Sequence, residues 1–201
     1  MTELSTQEKL FTLSWTHKDL MLLQCKEDIT FNLYLQPKKL LQCNKLNLTI
    51  VVPSGFVTDG ATIPKFLWSI LSPYEDYFYA CYLHDYLCFM LKVSRCFVPP
   101  VGWDTHSAYS KRNLVDRILL NVMKQQGIKK LTAYCIYAGV SLYRIFCYNP
   151  ISYKWFKRSL NDTKPYRDSF KEALINPHMR IHSLGQDTIT TLGTLLQCSA
   201  K

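Results

Sequence analysis

No two cysteines in this chain are spaced CxxC, although eight are scattered through its 201 residues. That argues against a zinc ribbon and against a thioredoxin-type redox site. The opening residues, Met1 to Lys9, lack the basic stretch and apolar run of a signal peptide, so a cytoplasmic protein with reduced thiols is expected. On that reading the cysteines act as small core hydrophobes, and the sequons at Asn47 and Asn161 are chance matches. Walker loop, GxGxxG and GxSxG are all missing, which leaves nucleotide-dependent chemistry and serine hydrolysis without support. Nor does any run reach the roughly 20 apolar residues of a membrane span. Residues 131–147 come nearest, but Arg144 interrupts them. A core helix is the expectation there, with peripheral membrane contact as the alternative.

Charge is also sparse. Charged residues make up 19% of the chain against 48% hydrophobic and 13% aromatic, which excludes a solvated disordered chain and permits a sizeable core. What charge there is leans one way, 24 Lys and Arg against 15 Asp and Glu, a net +9. An acidic protein or an anionic membrane surface would suit that excess, and nucleic acid is the less favoured partner.

Residues 9–58 read as strands. Ile29 to Leu35 alternates with period two, Leu46 to Val52 is rich in β-formers before the Pro53-Ser54-Gly55 turn, and Thr12–Trp15 and Leu20–Leu23 look like earlier strands. Beyond Gly60 the pattern becomes helical. A short helix opens at Pro64, a buried helix covers 75–92, and a loop with Pro99-Pro100 spans 93–111. An amphipathic helix follows, with Leu114, Val115, Ile118, Leu119, Val122 and Met123 on one stripe, ending near Gly127. Strands followed by helices imply an α+β protein, an N-terminal antiparallel β region packed on a C-terminal helical bundle. One domain over 1–150 is expected, with 151–201 as a basic extension. There Lys154, Trp155, Lys157 and Arg158 form a candidate partner-binding run, which could also be a solvated face.

The buried helix carries an ionisable pair, His84 and Asp85, among apolar and aromatic neighbours. Such a pair must find partners or cost several kcal/mol. Adjacent on a helix, the two side chains diverge by about 100° and cannot share one partner. If the helices at 75–92 and 112–126 pack antiparallel, Asp116 can approach His84, fix its tautomer and leave the other ring nitrogen as a base. Asp85 would then serve as an oxygen ligand for a hard cation or pair with Arg112 or Arg117. Asp59 is either a turn and helix-start residue or a second carboxylate for the same centre. The competing reading is a hydrogen-bonded network that only pins strands to helices. His178 and His182 have helical spacing without the Glu of HExxH, and His106 with Asp104 lies in the loop, so all three are read as structural.

Three stretches resemble one family: Phe56-Val-Thr-Asp-Gly-Ala-Thr-Ile-Pro64, then Leu83-His-Asp-Tyr-Leu87, then Val115-Asp-Arg117. It is the uncharacterised bacterial and phage family catalogued as domain of unknown function thirteen-fifty-three. Its pattern runs F-x-T-D-x-A-S-I-P, H-D-x-L-Y and A-D-R, over about residues 45–147 of this chain. Thr62, Cys88 and Val115 depart from it, and every ionisable position is kept. The resemblance implies a phage or prophage setting and no activity. Cys81-x-x-His84-Asp85 is also similar to the catalytic helix of secreted phospholipases A2, without their glycine-rich calcium loop or disulfide frame. The expected function is a hydrolase acting on an envelope ester or amide, with His84 and Asp116 catalytic. Asp59 and Asp85 would hold the attacking water or, with His84, a divalent cation, Ca or Zn. The alternative is a non-catalytic phage interaction protein, a virion component or a host-defence antagonist, acting through its basic surface.

Overall fold

A computed structural model describes residues 11–16, 20–35, 46–58, 77–147, 164–176 and 178–199. Asp59, the expected helix from Pro64 and the run from Lys154 to Arg158 lie outside them. The five strands among the described residues are β1 (Phe11–Thr16), β2 (Leu20–Cys25), β3 (Ile29–Leu35), β4 (Leu46–Val52) and β5 (Val57–Thr58). They form a three-stranded sheet ordered β1-β2-β5 and a two-stranded sheet β3-β4, antiparallel throughout. Phe31 opposes Ile50 and Ile29 opposes Val52. This register puts the period-two apolar residues Phe31, Leu33, Ile50 and Val52 in the core. On the other face Thr49 donates a 3.2 Å hydrogen bond to Asn32.

Among the described residues five α-helices follow: α1 (Phe78–Val93), α2 (Ala108–Gln125), α3 (Lys130–Cys147), α4 (Lys164–Ile175) and α5 (Arg180–Ser199). The chain is thus α+β, as expected. α1 is central, touching α2, α5 and β5, and is buried nearly all round, as a helix apolar on every side must be. α2 begins earlier than the loop reading of 93–111 suggests, because the Ser107 hydroxyl caps it by accepting from the Ser110 amide at 3.1 Å. It ends as expected at Gly127, whose φ of 76° closes a Schellman turn. There the Ile128 amide donates to Met123 and the Gly127 amide to Lys124.

Residues 164–199, read from sequence as part of a basic extension, supply α4 and α5. Phe170, Leu174, Ile189, Leu192, Leu195 and Leu196 belong to the same core as the strands and α1. Phe56, just before β5, joins the halves, its ring 5.3 Å from Tyr86 and 5.3 Å from Phe170. His182 packs its ring 5.4 Å from Phe97.

Candidate functional site

α1 and α2 do bring His84 and Asp116 together. His84 Nε2 lies 2.8 Å from Asp116 Oδ1, with His84 6% and Asp116 0% exposed. The other carboxylate oxygen belongs to α3: Arg144 Nη1 donates to Asp116 Oδ2 at 2.7 Å and to Asn113 Oδ1 at 2.7 Å. Arg112, one turn before Asp116, places Nε 3.4 Å from Oδ1, close enough to pair but not aligned for a hydrogen bond. Two cation–π contacts close the same seam, Arg144 over Tyr109 at 4.9 Å and Arg112 over Tyr143 at 6.0 Å.

Burial holds the His84 imidazole below its ordinary 6.5; its hydrogen bond to Asp116 opposes this, and the Arg112 charge adds to it. His84 is therefore neutral at physiological pH. Since a carboxylate only accepts, Nε2 carries the proton and Nδ1 keeps its lone pair. Near that lone pair is the Cys88 sulfur, 3.8 Å from Nδ1 and 3.7 Å from Nε2. A sulfur equidistant from both nitrogens lies in line with neither. Burial also pushes the Cys88 thiol up to about 12, so it stays protonated. The trio is not a cysteine–histidine nucleophile.

Asp85 diverges from His84 as helical geometry requires and accepts the hydroxyl proton of Thr58 in β5. Arg112 pairs with Asp116, and Arg117 is exposed. Among the described residues no three His, Cys, Asp or Glu side chains converge as a metal site needs. A groove of about 390 Å³ between β4 and α5, edged by Thr49, Val51, Asp187 and Thr188, includes neither His84 nor Asp116.

Sequence reasoning passed over Arg144 as an interruption of an apolar helix, and over Asn113 and Thr58 altogether. The signal for Arg144 was present: a lone cation in a helix expected to be core must have an anion opposite it. No curated protein and no solved structure matches this chain. The family model described as "Protein of unknown function (DUF1353)" does match, over residues 37–140, and that stretch includes His84, Arg112 and Asp116 of the centre as well as Asp59 and Asp85. With more than half its length matched, the chain belongs to the DUF1353 family.

Proposed function

We propose that this protein is a hydrolase in which His84 takes a proton from water through Nδ1 while Asp116 holds the ring. The observation that carries the reading is the 2.8 Å His84–Asp116 contact. It combines a fixed tautomer with a histidine whose pKa is held below 6.5. A neutral imidazole with one committed nitrogen is what general-base catalysis asks for. Asp116 is itself braced by Arg144, so the ring direction is set through three helices. Asp85, next to His84 and partly exposed, and Asp59, next to Thr58 in sequence, are the carboxylates proposed to hold the attacking water or a calcium or zinc ion. An ester or amide of the cell envelope is the proposed substrate class. That choice rests on the family's setting.

The test is a panel of activated esters and amides, assayed with calcium, with zinc and with chelator, on wild type, His84→Gln and Asp116→Asn. Loss of turnover in both variants, with the fold intact by circular dichroism, is expected. Full turnover by His84→Gln would end the reading.

One observation favours a different reading. Both Asp116 oxygens are taken and the residue is wholly buried, as in a network that only locks helices together. In that case the protein works by binding a partner, an acidic protein being the first choice, through its basic surface. A salt-sensitive complex lost in Lys154→Glu/Lys157→Glu, together with inertness across the panel, would establish it.

A further inference from the structure

α3 is apolar on both faces, with Ala133 and Ile136 buried in the core. Beyond Lys130, its one charged side chain, Arg144, points inward and is 6% exposed. The face it shows to solvent is apolar: Leu131 is 78% exposed, Tyr134 49%, Leu142 53% and Ile145 52%. Cys135, Ala138 and Gly139 fill the gaps between them. Positions recurring every three or four residues lie on one side of a helix, so these form a continuous stripe about four turns long. A single exposed leucine means nothing, whereas a contiguous exposed apolar stripe marks a contact surface.

The surroundings say what kind of contact. Lys124 sits 4.8 Å above the Tyr134 ring with its ammonium 3.1 Å from the hydroxyl. Lys129 and Lys130 are exposed where the helix begins. In the sequence, residues 117–161 contain no Asp or Glu at all and eight Lys or Arg. An apolar stripe edged by cations, in a stretch without a single anion, complements a surface that is apolar beneath and anionic on top. We propose that the outward face of α3 docks in the headgroup layer of an anionic phospholipid bilayer.

Docking of this kind lies in the membrane plane, with leucine and isoleucine at the acyl boundary, tyrosine at headgroup level and lysines against lipid phosphate. No helix among the described residues is long and apolar enough to cross a membrane. A nucleic acid would use the cations but not exposed Leu131, Leu142 and Ile145, whose aliphatic side chains offer no stacking plane. The proposal is independent of the hydrolytic reading.

Flotation of the full chain with phosphatidylcholine vesicles, with and without phosphatidylglycerol, tests it. Binding to the phosphatidylglycerol vesicles alone, weakening with salt, is expected. Leu131→Gln/Leu142→Gln/Ile145→Gln keeps the charge and alters only exposed positions. It should float at least roughly tenfold less well while its melting temperature stays near wild type. Lys129→Gln/Lys130→Gln should weaken binding several-fold. Absence of flotation, or a triple variant that floats like wild type, overturns the proposal. So does a wild-type dimer that the triple variant breaks without any vesicle binding, because a second copy would then be what covers the stripe.

Discussion

Arg144 and Asp116 face each other across the α2–α3 seam, Nη1 2.7 Å from Oδ2, with both side chains almost wholly withdrawn from solvent. Burying two charges is costly, and removing one of a buried pair strands the other. Arg144→Met should therefore destabilise the protein by about 3–5 kcal/mol, read from urea unfolding. Asp116→Asn added to Arg144→Met removes the stranded carboxylate and should recover a good part of that loss. A double variant no better than the single would show that Arg112 and His84 alone suffice to hold Asp116.

His84 makes stability depend on pH in a definite direction. Its folded pKa lies below the ordinary 6.5 because burial disfavours the cation. Below pH 6.5 the unfolded chain therefore binds a proton that the folded chain refuses. Stability contributed by the neutral ring is full above 6.5 and is lost as pH falls toward the folded pKa. The charged groups facing the ring are Asp116 and Arg112. His84→Gln keeps a donor for Asp116 and has no proton to gain, so its unfolding free energy should fall less than that of wild type between pH 7 and pH 5. Parallel curves would mean that His84 titrates normally, and the neutral-base argument would fail with it.

The thiols should divide cleanly. Burial raises Cys88 to about 12, and Cys81 is raised further still. Cys135, by contrast, stands exposed on α3. Iodoacetamide on the native protein, followed by peptide mass spectrometry, should label Cys135 and leave Cys81 and Cys88 untouched until denaturant is added. Rapid native labelling of Cys88 would contradict its burial and reopen a cysteine nucleophile beside His84.

Where the sequence was legible, a periodicity or a punctuating residue made it so. Ile29–Leu35 alternates and Leu46–Val52 is rich in β-formers, and both are strands; Gly127 ends α2 through the positive φ that glycine tolerates. The approach of Asp116 to His84 followed from two helical faces and an antiparallel packing. What stayed hidden was of two kinds. Arg144 reads as a defect in an apolar run unless the anion it must meet is sought on another helix. α4 and α5 lie in a polar stretch whose apolar positions, Phe170, Leu174, Leu192 and Leu196, are thinly spread. Their burial comes from distant partners such as Phe56 and Phe89, which no local pattern contains.

Two glycines should answer the same substitution with opposite signs. Alanine in place of glycine within a helix normally gains about 1 kcal/mol, and Gly139 on α3 has nothing within 4 Å of where a Cβ would stand. At Gly193 on α5 that Cβ would fall 2.2 Å from Pro100 Cγ and 2.6 Å from Pro100 Cβ. The proline ring cannot rotate aside, and its loop is tied down on both flanks. Gln186 holds Val98 through two hydrogen bonds, at 3.0 and 2.9 Å, and Gln197 donates to the Val101 carbonyl. Gly193→Ala should consequently cost about 1–3 kcal/mol despite the better helix former, while Gly139→Ala raises the melting temperature. Should Gly193→Ala stabilise as well, the 97–101 segment must be free to lift away from α5, and the clamp made by Gln186 and Gln197 would be a weaker tie than their hydrogen bonds suggest.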